Sequence, residues 1–222
     1  MILLVVDTSG KYGSIGLARC GPDDACEVIE SAPLSGGTFS AELVPQIAAL
    51  LGRHGFGKAD IDGFAVVSGP GSFTGLRIGL AVIKALAEVL KKPIAAVSLL
   101  EALAAAADYR SGVAAIDAGR NEVFLGEYET GGAGTQLIRE RLLTSDQWLE
   151  STGDKEIVTF DNALAQVARA KGLRVLEVGR PGSDVIARLG WRKIAAGETV
   201  SADALEANYI GRSESELFVK GC

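Results

Sequence analysis

The stretch Val66-Val67-Ser68-Gly69-Pro70-Gly71-Ser72-Phe73-Thr74-Gly75-Leu76-Arg77-Ile78-Gly79 decides how this chain is read. An apolar run, Phe64 to Val67, enters it as a buried strand. Gly69-Pro70-Gly71 then turns the backbone, since glycine reaches angles other residues avoid and proline fixes φ. Ser72 stands at an N-cap position, and a helix is expected from there to about Leu90, ahead of Lys91-Lys92-Pro93. Gly75 and Gly79 are spaced to share one face of that helix. Each costs a helix interior about 1 kcal/mol relative to alanine. Three occupants fit such a face: a segment of the same chain, a phosphate at the helix N-terminus, or a helix of a second protein.

Upstream, Ile2 to Val6 is continuously apolar and reads as a central strand buried on both faces. Asp7-Thr8-Ser9-Gly10 is a turn. Tyr12 to Ala18 and Cys26 to Ser31 extend a hairpin sheet. A helix follows from about Thr38 to Arg53, with Leu43, Val44, Ile47, Leu50 and Leu51 as an apolar stripe and a bend expected near Ala41 because Pro45 lies inside it. After the quoted stretch comes a strand, Ile94 to Val97. The order is therefore β-β-β-α-β-α-β, a hairpin sheet extended by parallel strands through helical crossovers.

The second part repeats the theme. Leu99 to Ala107 is a helix, and Val113 to Ile116 is a strand ending in Asp117. Glu122 to Tyr128 and Leu137 to Leu142 are strands, and a short helix opens at Ser145. Ile157 to Phe160, Asn162 to Lys171, Leu173 to Val178 and Asp184 to Ala196 alternate strand and helix. Asp7 and Asp117 each close an apolar strand before a glycine-containing turn and another strand, as a duplicated β-turn-β unit would. The tail from Ala202 has no firm assignment.

Composition narrows the function. The chain has 222 residues, 48% of them hydrophobic and 23% charged, enough for one large or two small globular domains. A formal net charge of −6 argues against autonomous RNA binding, though not against membership of an RNA-binding complex. Cys20, Cys26 and Cys222 form no metal or redox motif and read as free thiols. No apolar run reaches a membrane span, and Asp7 cuts short the apolar opening, against a signal peptide. The single histidine, His54, lies near a helix end and reads as a solvated or capping residue. It has no nucleophile motif to serve, and no Walker A loop is present. Asp7 and Asp117 could hold a hydrated magnesium, with Thr8, Ser9 and Gly119 offering amides to nucleotide phosphates. The alternative is that all five are ordinary turn residues at strand ends.

Three motifs, Leu4-Val5-Val6-Asp7-Thr8-Ser9, the Gly69 to Gly79 stretch, and Ala115-Ile116-Asp117-Ala118-Gly119-Arg120-Asn121-Glu122-Val123-Phe124, resemble the TsaB (YeaZ) family in the family's order. The resemblance covers most of the chain; between Thr130 and Val200 it is one of length and pattern only. It implies an α/β, actin-like (ribonuclease H-like) fold of two subdomains, each a mixed sheet flanked by helices: 1–98 and 99–222, with the last residues open to packing back on the first. It also implies a cytoplasmic, non-catalytic subunit that works with the catalytic paralogue TsaD and the ATPase TsaE. That machinery transfers threonylcarbamoyl from its adenylate to N6 of the adenosine beside the anticodon in tRNA. TsaD carries a metal-binding H-x-x-x-H pair, and Leu99 and Leu103 stand at the matching positions here. The expectation is that this chain alone binds no cofactor, ATP and metal belonging to its partners, and that it meets tRNA only in the complex. The resemblance makes the glycine-bearing helix and the helix before it the surface for TsaD, or for a second copy of the chain. Leu43, Ile47, Phe73, Gly75, Leu76, Gly79 and Ile83 are the contacts it suggests. Phe39-Ser40-Ala41-Glu42 departs from the family, which often has histidine there. The alternatives are a small-molecule kinase on the same fold, and a peptidase, which lacks a metal pair or usable histidine here.

Overall fold

The structure is a computed structural model that describes residues 1–22, 25–35, 37–107, 111–131 and 134–211. It holds two five-stranded sheets. Strands β1 (Ile2–Asp7), β2 (Tyr12–Cys20) and β3 (Cys26–Ser35) form an antiparallel meander, to which β4 (Gly63–Gly69) and β5 (Ile94–Ser98) add in parallel on the other side of β1, in the order β3-β2-β1-β4-β5. Strands β6 (Ser111–Gly119), β7 (Glu122–Gly131) and β8 (Gly134–Thr144) form a second meander, and β9 (Glu156–Thr159) and β10 (Val175–Glu177) add in parallel beside β6, giving β10-β9-β6-β7-β8. Strand for strand the two topologies are the same. The duplication suggested by Asp7 and Asp117 therefore extends through both sheets, and this is the actin-like (ribonuclease H-like) α/β architecture.

Helices occupy equivalent places in the two halves. Helix α1 (Phe39–Arg53) and α2 (Phe73–Leu90) connect the first sheet; α4 (Ser145–Thr152) and α5 (Asn162–Ala170) connect the second. Helix α2 starts where Ser72 Oγ accepts the Gly75 amide, and ends at Lys91 in the left-handed region, two residues before Pro93. Helix α1 runs through Pro45 as one element.

The third helix of each half is exchanged. Helix α3 (Leu99–Ala105) follows β5 in the chain but belongs to the unit of the second sheet, where it packs on β6 and β7; α6 (Ser183–Ala195) follows β10 but packs on β1 to β5. The compact units are accordingly residues 1–98 with 182–208, and 99–181 with the remaining tail. This corrects the expected 99–222 subdomain in one respect: 182–208 completes the first unit. The reason is burial. Leu4 and Val6 of β1 face α1 and α2, so Leu3 and Val5 need cover on the opposite face. Ile186, Ala187 and Leu189 of α6 supply it, and Gly190 lets that helix approach Ala65 closely. Burial of a side chain the size of Ile186 or Leu189 contributes about 1.5–3 kcal/mol. The unassigned tail then runs along the same unit: Val200 bridges Ile94, Leu205 is buried, and the Asn208 amide donates to the Ser68 carbonyl.

A second correction concerns the cysteines. Cys20 and Cys26 face each other at the end of the β2–β3 hairpin, 4.1 Å apart between Cα atoms, and form a disulfide. An odd cysteine count conceals this, because the pairing depends on where β3 begins. Cys222 lies outside the described residues. Among the described residues no helix is long and apolar enough to cross a membrane.

Candidate functional site

Two of the three sequence motifs, Leu4 to Ser9 and Gly69 to Gly79, meet at one place in the first unit, the junction of the β1 end with the β4–α2 turn. Asp7, Thr8 and Ser9 are all buried there. Asp7 Oδ1 accepts the Ser9 amide at 2.8 Å and the Ser9 hydroxyl at 2.5 Å. Thr8 Oγ1 donates to the Gly75 carbonyl at 2.8 Å, and the Ser72 amide donates to the Ser9 carbonyl at 2.7 Å. The glycines of the quoted stretch make this possible. A Cβ on Gly71 would overlap the Ser9 carbonyl oxygen, one on Gly75 the Thr8 carbonyl oxygen, and one on Gly79 the Thr8 Oγ1. Gly69, at φ 137°, touches the Asn208 carbonyl from the tail, and the Gly69–Pro70 bond is cis.

The glycine face of α2 is thus filled from within the chain, by the turn after β1. This corrects the interface expectation for most of its residues. Gly75 and Gly79 sit on Thr8, and Leu43, Ile47, Leu76 and Ile83 are core residues. Only Phe73 reaches outward, half-buried, with the Arg77 guanidinium 3.9 Å over its ring. Spacing showed that the glycines share a face, but not which face. Phe39, at the position of the family departure, turns inward and packs against Gly13.

The outward face of the same two helices is apolar for its exposure. Helix α1 presents Ala41, Val44 (56% exposed), Pro45, Ala48 and Ala49; α2 presents Ile78, Ala81, Val82, Ala85 and Val89 (72% exposed). The two helices touch each other, so the residues form one surface. At its end His54, the residue closing α1, places Nε2 2.7 Å from Glu30 Oε2, and Arg53 binds the same carboxylate. The Arg53 hydrogen bond, and after it that of His54, holds the Glu30 carboxyl below its usual range.

The equivalent turn of the second unit holds Asp117 and Gly119. Asp117 Oδ1 accepts the Gly119 amide at 2.9 Å, the same two-residue pattern as Asp7 and Ser9. Here the turn is exposed. Gly119, Arg120 and Asn121 all have positive φ, at 71°, 56° and 63°, and no atom lies within 4 Å of a Cβ built on Gly119. The Asn121 carbonyl is fixed by the Ser145 amide and hydroxyl at the start of α4. Of the amides expected to face a phosphate, those of Ser9 and Gly119 are both taken by the aspartate two residues before them. Among the described residues no group of three or more His, Cys, Asp or Glu could hold a metal ion. Leu99 and Leu103 of α3 are buried apolar residues.

Sequence reasoning missed one cluster. Glu127 of β7 is buried, and its carboxylate receives Arg139 Nε at 2.6 Å, Arg141 Nη2 at 3.0 Å and Lys155 Nζ at 2.5 Å. Burial raises its pKa, but the Arg139 and Lys155 hydrogen bonds outweigh that and hold it below the usual range. A signal was present: Val123, Leu125 and Glu127 alternate, so the acid falls on a buried face.

The comparisons with known proteins agree with the motifs. The family model for TsaD, tRNA N6-adenosine threonylcarbamoyltransferase, matches residues 34–195. The tRNA threonylcarbamoyladenosine biosynthesis protein TsaB of Bacillus subtilis is 32% identical over 159 residues, covering 70% of this chain and 68% of that protein. The Escherichia coli protein of the same name is 29% identical over 223 residues, covering 95% and 94%. The solved structure of YeaZ from Pseudomonas aeruginosa superposes with a TM-score of 0.76 at 26% identity, covering 94% of this chain and all of that one. With the three motifs, the doubled sheet and these likenesses together, the chain belongs to the TsaB (YeaZ) family.

Proposed function

We propose that this chain is the non-catalytic subunit of a cytoplasmic tRNA threonylcarbamoyladenosine-forming complex. It binds a TsaD-type catalytic subunit, works with TsaE, and supports transfer of threonylcarbamoyl from threonylcarbamoyl-AMP to N6 of the adenosine beside the anticodon. One observation carries the reading. The TsaD family model runs through residues 34–195, yet the two positions that the resemblance sets against the metal-binding histidines hold Leu99 and Leu103, buried in the packing of α3. A thioether-free aliphatic side chain offers no donor to a metal. In this proposal the chain has no resident cofactor of its own; ATP and metal are held by the partners.

The partner surface is the outward face of α1 and α2, not the glycine face. Val44, Ala48, Ala81 and Ala85 are exposed and apolar, a centre of the kind partner helices can cover. The same face would pair two copies of the chain when TsaD is absent. The test is depletion of the protein in cells followed by rescue. Loss of threonylcarbamoyladenosine from digested tRNA, restored by the wild-type chain and not by Val44→Asp, is expected. Normal nucleoside levels after complete depletion would overturn the role.

A further inference from the structure

The first unit accounts for the proposed partner surface; the second carries a cation cluster that this surface does not use. Glu127 is the only carboxylate that the three cations Arg139, Arg141 and Lys155 bind among the described residues. Among the described residues, one carboxylate thus meets three cations, a local excess of two positive charges. Asp154 and Glu156 flank Lys155 in sequence, and Glu129 follows on β7, but none of them pairs with these cations.

The donors left over are specific. Arg139 spends only Nε on Glu127, and among the described residues its two terminal nitrogens have no partner; its side chain is 52% exposed. Arg141 uses Nη2, while its buried Nε has no hydrogen-bond partner among the described residues. A buried N–H left unbonded is costly, so a built donor of this kind calls for an acceptor. Glu127 fixes all three side chains from beneath, which removes much of the rotamer entropy that a surface arginine loses on binding. Arg139 and Arg141 are two residues apart on β8, so they share a face about 6.6 Å apart, close to the repeat of successive phosphates along a nucleic-acid strand. Guanidinium forks suit phosphate oxygens in both geometry and charge.

We propose that the Arg139, Arg141 and Lys155 cluster is a binding site for the phosphate backbone of RNA, engaged when the chain is held in its complex. The inference rests on the proposed function for its RNA, the tRNA being modified. A chain of net charge −6 gains little from such a site in isolation; joined to a partner that holds the same RNA, the contact becomes intramolecular.

The experiment uses the complex of this chain with TsaD and unmodified tRNA, measuring affinity across a salt series. Arg139→Gln is expected to weaken binding about 3- to 10-fold. It should also make the plot of log affinity against log salt shallower by about 0.7–0.9, one phosphate contact. Arg139→Lys, which keeps the charge, is expected to restore most of the slope. Unchanged affinity and slope in Arg139→Gln would overturn the site. Loss of assembly in that variant would overturn it too, by making the cluster a protein contact. Sizing of the wild-type mixture is read separately. If no complex forms, the proposed function fails; at low ionic strength, where each phosphate contact is strong enough to read in the isolated chain, Arg139→Gln compared with wild type still decides for or against the cluster.

Discussion

The turn after β1 and the turn after β6 begin alike and end differently. In each, an aspartate at the end of a central strand accepts the amide two residues on, Ser9 in one and Gly119 in the other. The first is then roofed by α2, an 18-residue helix whose Gly75 and Gly79 rest directly on Thr8. The second is followed, three strands later, by α5, nine residues without a glycine, and stays open behind three positive-φ residues. Duplication kept the local turn chemistry in both halves. Packing then closed one of them. What glycine contributes at α2 is an absence of volume, which converts a loop that could face a ligand into part of the core.

Substitutions test that difference. The largest effect is expected for Gly75→Leu, whose Cβ would meet the Thr8 backbone itself. Overpacking of about 3 kcal/mol should lower the melting temperature by about 6–12 °C. A variant with wild-type melting that had lost TsaD would break the comparison by returning the glycine face to the interface. Next comes Glu127→Ala, expected to cost about 2 kcal/mol as the charged hydrogen bonds of the second sheet are lost. The pH dependence has a definite sign. The Glu127 pKa is depressed in the fold, so its contribution is complete above the unfolded value near 4.5 and is lost as pH falls through the folded value. Wild type should therefore lose stability below about pH 4.5 more steeply than Glu127→Ala, by denaturant titration at each pH. Gly119→Ala should cost only about 1–2 kcal/mol, from positive φ alone, because space is free there. The smallest change in stability, within about 0.5 kcal/mol, is expected for Val44→Asp, together with at least a tenfold loss of affinity for TsaD by titration.

Much of this architecture was legible before any coordinates. Apolar runs and turn residues located the strands and helices, because a strand buried on both faces and a helix with a 3.6-residue stripe leave different patterns. The echo of Asp7 and Asp117 foretold the doubled sheet. Three things were not legible, and each depends on register or distance along the chain. Gly75 and Gly79 announce a close approach without saying what approaches, since the partner, Thr8, is some seventy residues away in sequence. Cys20 and Cys26 pair because β2 and β3 align them, which composition does not record. Glu127 looks like any charged residue until Arg139 and Lys155 are brought to it from the next strand and the loop after α4.

The exchange of α3 and α6 bears on how the protein is made. During synthesis β1 to β5 emerge first, yet the helix that covers Leu3, Val5 and Ala65 lies beyond residue 182. Until then one face of the first sheet stays bare, while α3, already synthesised, waits for β6 and β7. The two halves therefore cannot be finished in turn, as beads on a string would be. A chain divided after Ser98 would leave the first fragment without α6, and its apolar sheet face would invite self-association.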